Sequence, residues 1–122
     1  MNKKIILGAA IALLAVGAGI YSLAKSSPDA RPASGITLFY GRECSHCKNL
    51  EKFMKENKIE EKVEYDYIEV WHNKINANIL MEKAKECGIS EDKVGVPFLY
   101  AEGKCSIGGP DVEKFFKEKA GI

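Results

Sequence analysis

The 122-residue chain carries a single tryptophan, two histidines and no block of basic residues. Lysine alternates with glutamate along the helix-like stretches, and the formal net charge is +1. No surface of one sign is therefore available to hold a nucleic-acid backbone. There is one Cys-x-x-Cys, with no second copy and no His-x-x-His, so a self-contained zinc site lacks half of its ligands. Internal repeats and low-complexity tracts are missing too, which argues against a repeat array or a disordered tail. With 46 % hydrophobic residues, the chain has the length and composition of one folded domain.

One absence is local. No charged residue interrupts the 20 residues from Ile5 to Ala24, the length of one membrane-spanning helix. Lys3 and Lys4 precede the run and favour a cytoplasmic N-terminus, with the remainder outside. Residues 1–24 thus read as a signal anchor. The alternative is a signal peptide cut after Ser22-Leu23-Ala24, which would leave a secreted or periplasmic domain. The run exceeds a usual signal core, and this favours the anchor. No cysteine follows it closely, which argues against a lipoprotein. Either reading exports the domain to a compartment where disulfides persist. Residues 25–35 have the Pro, Ser and Gly content of a flexible linker, and the domain spans 36–122. Lys3 and Lys4 aside, 16 basic residues face 17 acidic ones.

What is present centres on Phe39-Tyr40-Gly41-Arg42-Glu43-Cys44-Ser45-His46-Cys47-Lys48. The apolar run Ile36–Tyr40 reads as a buried strand. From Ser45 to about Asn57, Leu50, Phe53 and Met54 recur at helical spacing. Cys44 therefore stands where a strand gives way to a helix. There the free N–H groups and the positive end of the helix dipole lower a thiol's pKa. Cys47 lies one helical turn on, close enough to close a disulfide.

Downstream, Val63–Val70 alternates apolar and acidic residues and reads as a second strand. Asn73 to about Cys87 is expected to be a helix with Ile75, Ile79, Leu80, Ala84 and Cys87 on one face, ended by Gly88. Pro97–Ala101 and Lys104–Ile107 are strands joined by a hairpin at Glu102-Gly103. Gly108-Gly109-Pro110-Asp111 starts a last helix that buries Val112, Phe115 and Phe116. The order is β-α-β-α-β-β-α. A right-handed crossover makes the first two strands parallel, and the hairpin makes the last two antiparallel. The expected α/β fold is a four-stranded mixed sheet with helices on both faces.

That order, with Cys-x-x-Cys after the first strand and Val96-Pro97 before the third, resembles the thioredoxin superfamily, and within it the glutaredoxins. Phe39-Tyr40-Gly41-Arg42 with Cys44-Ser45-His46-Cys47 is similar to their first strand and active loop. Gly95-Val96-Pro97 resembles their Thr-Val-Pro, and Gly108-Gly109-Pro110-Asp111 their Gly-Gly-x-Asp. The loop before Cys44 is one residue shorter than in many glutaredoxins. Gly95 replaces Thr, and Ser-His replaces Pro-Tyr. Glu43 stands where thioredoxins have Trp.

The resemblance implies a thiol–disulfide oxidoreductase. Cys44 would be the attacking thiolate, with an exposed sulfur, and Cys47 the buried resolving thiol. His46 would place a donor or positive charge near the Cys44 sulfur, favouring the thiolate. Arg42 would add to this and Glu43 oppose it. Pro97 would follow a cis peptide bond and lie against the pair. Val96 would offer its backbone to an extended substrate. Asp111 would meet the amino end of glutathione, the one small thiol this reading admits; its other reading is a helix-starting acid. No tightly bound cofactor or metal is expected. Partners would be exported cysteine-containing proteins, a redox partner that resets the pair, and the membrane through the N-terminal helix. Alternatives are a thioredoxin-fold module in which Cys44, Cys47 and His46 hold zinc, copper or an iron–sulfur cluster, and a non-catalytic adaptor.

In this topology Cys87 and Cys105 reach the pole opposite the redox pair, either as a structural disulfide or as buried free thiols. Trp71 and His72, just after the second strand, either shape a substrate surface or simply cap the strand end.

Overall fold

The computed structural model describes residues 34–122. The expected membrane-spanning helix at 1–24 and most of the linker at 25–35 lie outside the described residues. Among the described residues, no helix is long and apolar enough to cross a membrane. The last linker residues are tied to the domain. The Ser34 hydroxyl and backbone N–H both donate to the Asp66 carboxylate, at 2.7 and 3.0 Å.

The elements run β1 (Ile36–Tyr40), α1 (Ser45–Glu56), α2 (Ile59–Lys62), β2 (Asp66–Glu69), α3 (Lys74–Glu86), β3 (Phe98–Ala101), β4 (Lys104–Ile107) and α4 (Gly109–Ala120), with a 3-10 turn at Glu91–Lys93. The sheet order is β2-β1-β3-β4. β1 pairs parallel with β2 and antiparallel with β3, where Phe39 faces Phe98. β4 pairs antiparallel with β3. This mixed sheet with helices on both faces is the thioredoxin-like α/β arrangement that the motifs implied.

The continuous apolar run in β1 has a simple cause. Successive side chains of a strand point to opposite faces, and both faces of this strand are covered. Ile36 and Leu38 pack with Leu50, Met54, Ile59, Val112 and Phe116, from the helices of one face. Phe39 packs with Leu80, Ala84 and Phe98 under α3, on the other. The polar residue count of β1 is one, Thr37, and it too is buried.

Three expectations change. The strand expected over Val63–Val70 is shorter, Asp66–Glu69, and a helical turn precedes it. Ile59 and Val63 are four residues apart, so one turn of helix points both into the core, where both are buried. That burial outweighs strand pairing for Val63. The face of α3 is also rotated. Ile75 is 63 % exposed, while Leu80 and Ala84 are buried and Ala77 packs beside them. Positions 77, 80 and 84 follow the i, i+3, i+7 spacing, and 75 falls outside it. The third strand starts at Phe98, one residue after Pro97, whose ring nitrogen has no hydrogen to donate to a ladder.

The hairpin turn has positive φ at both central residues, Glu102 at 51° and Gly103 at 78°. This is the conformation that matches the twist of the flanking strands.

Candidate active site

β1 carries the chain to Tyr40, and a short turn closed by the Cys44 N–H on the Gly41 carbonyl (3.1 Å) brings it to the start of α1. Cys44 is the N-cap of α1, in extended conformation, and its sulfur accepts the Cys47 N–H at 3.1 Å. The sulfur thus occupies the place that a Ser or Asp oxygen takes in an ordinary cap. The first turn of α1 has no acidic residue, so nothing there offsets the positive end of the helix dipole. Cys44 and Cys47 are joined in a disulfide, with Cα atoms 5.2 Å apart.

The Cys44 sulfur is not exposed as expected. Both cysteines are buried, at 5 % and 3 %. Two contacts draw Cys44 inward. One is the cap itself. The other is Val96, whose carbonyl oxygen lies 3.7 Å from the Cys44 sulfur. The Val96–Pro97 peptide bond is cis and Pro97 is fully buried. The Gly108 N–H donates to the Pro97 carbonyl at 2.9 Å. The start of α4 is thereby fixed beside the segment that touches the redox pair. Asp111 is exposed in the first turn of that helix. Gly108 caps it without a side chain.

His46 is exposed between the two cysteines. Among the described residues, no hydrogen bond joins its ring to Cys44. Arg42 is also exposed, and its backbone is what the fold uses. The Arg42 N–H donates to a Glu69 carboxylate oxygen at 2.8 Å, and the His72 N–H donates to the other. Asn76 donates its amide to the Glu69 carbonyl at 3.0 Å. Glu69, the last residue of β2, thus clamps the turn before Cys44 to the loop that starts α3. Burial raises its carboxyl pKa, but the two N–H donors outweigh this and hold it below the usual carboxylate range.

A second tie lies above the clamp. The His72 ring nitrogen Nε2 is 2.7 Å from the Glu43 carboxylate. That hydrogen bond holds the Glu43 carboxyl below its ordinary pKa. Glu43 immediately precedes Cys44, and the His72 ring ties its carboxylate to the loop that starts α3. Trp71 completes the loop contact. Its ring lies flat against Gly41, where any β-carbon would overlap the indole. Glycine is required here for close approach, not for an unusual φ.

The structure therefore brings Cys44, Cys47, Val96, Pro97, Trp71 and His72 to one pole. The clamp by Glu69 was not read from the sequence. Glu69 is one of three acids, with Glu64 and Asp66, in the strand-like stretch 63–70, and nothing local singled it out.

Cys87 and Cys105 are joined in a disulfide with Cα atoms 6.1 Å apart and a sequence separation of 18. It links the C-cap of α3 to β4. Nearby, Glu86 accepts the Tyr100 hydroxyl, and the Lys83 ammonium lies 4.6 Å from the Tyr100 ring centroid. The shared hydrogen bond lowers the Glu86 carboxyl and raises the Tyr100 phenol. Among the described residues, no group of three or more His, Cys, Asp or Glu side chains is placed to hold a metal ion.

No protein-family model matches the chain, and no curated protein matches it. Among solved structures, a buckwheat glutaredoxin in complex with glutathione is similar. It is 18 % identical, the match covers 71 % of this chain and 70 % of that one, and the TM-score is 0.47.

Proposed function

We propose that the chain is a thiol–disulfide oxidoreductase acting on protein cysteines outside the cytoplasm. The observation that carries this is the position of Cys44. Its sulfur caps a helix whose first turn has no acid and accepts a backbone N–H from its own partner cysteine. Donors aimed at a sulfur stabilise its anion.

The chemistry follows from that placement. In the reduced pair, the Cys44 thiolate attacks one sulfur of a substrate disulfide. A Cys44–substrate disulfide forms, and the other substrate sulfur leaves as a thiolate. The Cys47 thiolate then attacks the Cys44 sulfur and releases the first substrate sulfur. The Cys44–Cys47 disulfide is formed, and the substrate has gained two electrons and two protons. Run backwards, the same steps oxidise a substrate dithiol. His46 and Arg42 would add positive charge near the Cys44 sulfur, and Val96 would pair with the substrate backbone. Asp111 would receive the amino end of glutathione if that thiol resets the pair.

The exported location rests on the apolar run at 5–24 with two lysines before it, and on four cysteines forming two bridges. Exported cysteine-containing proteins are the substrates of this reading, with a separate redox partner to restore the pair.

The test is the reduction potential of the full-length chain. It is equilibrated in graded thiol–disulfide buffers, alkylated and weighed intact. Cys44 and Cys47 should change together by two alkyl groups, while Cys87 and Cys105 stay bonded to below about −300 mV, as structural bridges do. A midpoint near about −120 to −180 mV marks a disulfide donor or shuffler, and one near about −270 mV a reductant. If the Cys44–Cys47 pair shows no reversible transition, the oxidoreductase reading is wrong.

A further inference from the structure

Gly41, Arg42 and Glu43 separate β1 from Cys44, and each is held by a residue of the segment 69–72. The Trp71 ring rests on Gly41. The Glu69 carboxylate accepts the Arg42 N–H at 2.8 Å, and the His72 ring nitrogen lies 2.7 Å from the Glu43 carboxylate. The last of these ties joins two exposed side chains, and such pairs hold a backbone weakly. The Glu69 bond grips the main chain of the turn. Glu69 is itself fixed on both sides. It pairs in register with Tyr40, the Val70 N–H donates to the Tyr40 carbonyl at 2.9 Å, and the Asn76 amide donates to the Glu69 carbonyl at 3.0 Å.

What depends on the turn is the sulfur. Cys44 is extended, with φ −76° and ψ 115°, and from there its sulfur accepts the Cys47 N–H at 3.1 Å. If the turn rotates, the sulfur leaves the free N–H groups of α1 and its thiolate loses their support. Glu69 also has an opposite influence, since a carboxylate acting through space disfavours a neighbouring thiolate. Its two oxygens, however, take the Arg42 and His72 N–H groups. Position and charge therefore push the Cys44 thiol in opposite directions, and an experiment can separate them by sign.

We infer that Glu69 is a positioning residue for the Cys44 thiolate: through the Arg42 N–H it holds the turn that presents the Cys44 sulfur to the N–H groups of α1, and this favours the thiolate in spite of the carboxylate's own charge. The assignment rests on the redox reading and concerns the same sulfur. The other titratable groups of the turn, the start of α1 and the facing loop are Arg42, Glu43, His46, Lys48 and His72, with Asp111 at the start of α4. All of them stay in place in the variants, so a change reports Glu69.

The test uses the full-length chain carrying Cys47→Ser, in which Cys44 is the one thiol of the pair. Iodoacetamide is added at graded pH. The Cys44 thiolate displaces iodide and forms a thioether, and intact mass gives the rate. The plateau rate reports access to the sulfur, and the midpoint of the pH profile reports the thiolate. Glu69→Ala should raise the midpoint by about half a pH unit or more, as loss of hydrogen-bond support for an anion does. Glu69→Gln keeps one acceptor oxygen without the charge and should raise it by less. Asn73→Ala removes the side-chain cap of α3, which accepts the Asn76 N–H at 3.1 Å. It should cost stability and leave the midpoint at the parent's value. If Glu69→Ala does not fold, Glu69→Gln decides alone. An unmoved midpoint in the Glu69 variants makes the residue merely structural, a fall makes its charge dominant, and an equal rise in Asn73→Ala makes any loosening sufficient; each overturns the assignment and leaves the redox reading standing. A parent midpoint at the ordinary thiol value of about 8.5 removes the activated sulfur itself, and both readings fall.

Discussion

Gly41 sets how closely Trp71 approaches the redox loop. A methyl group there would overlap the indole, so Gly41→Ala should cost about 1–3 kcal/mol, the usual range for overpacking. Removing the ring should relieve that cost. Chemical denaturation of Gly41→Ala, Trp71→Ala and the double variant forms a cycle. The double variant should be more stable than the two single effects added together; simple additivity would mean that the ring is not what Gly41 accommodates. At this scale the sequence showed which residues would meet around the Cys-x-x-Cys pair. Cys44, Cys47, Val96 and Pro97 were legible because their spacing relative to the strands and helices has few other uses. Glu69 and the Glu43–His72 pair were not, since a carboxylate becomes a clamp only when two loops 27 and 29 residues apart in sequence meet.

The elements show the same division between local and distant signals. Helices and strands with a clear apolar period were read to within a few residues. The errors fell at 59–63, where one turn of helix buries Ile59 and Val63, and on α3, where Ile75 faces solvent. In both, tertiary burial decided between two faces that the local pattern left nearly equal. The bridge from α3 to β4 also belongs to this scale. The chain between Cys87 and Cys105 forms a loop of 18 steps, and closing it constrains the unfolded chain by about 3 kcal/mol in the chain-entropy model. Replacing both cysteines by serine should therefore lower the melting temperature by roughly 15 °C, at about 4–8 °C per kcal/mol for a domain of this size. The reaction of Cys44 with a small disulfide should be unaffected, because the bridge contacts none of the redox residues. A variant that melts as the parent does would show that the bridge does not constrain the unfolded chain.

Over the whole molecule, Glu43, Glu69 and Glu86 share one property: each is held below its ordinary carboxyl pKa of 4.5 by hydrogen bonds. In the folded state each binds its proton less readily than when unfolded. Their contribution to stability is fully present above about pH 4.5 and is lost as the pH falls through the lowered values. Urea midpoints should be level on the neutral side of that point and decline on the acid side. His72→Ala should flatten the decline by removing the donor to Glu43; an unchanged acid arm would assign the decline to Glu69 and Glu86. Topology was legible at this scale because handed crossovers and the hairpin leave few arrangements. The meeting of loops around the redox pair was not, because it depends on side-chain reach. One such meeting has an optical consequence. Trp71 is the only tryptophan in the chain, and it rests on the glycine three residues before Cys44. All of the indole emission of this protein therefore arises against the loop that leads into Cys44. If the Cys44–Cys47 bridge opens under reductant, the emission of unlabelled protein should change with it, which a fluorometer can check.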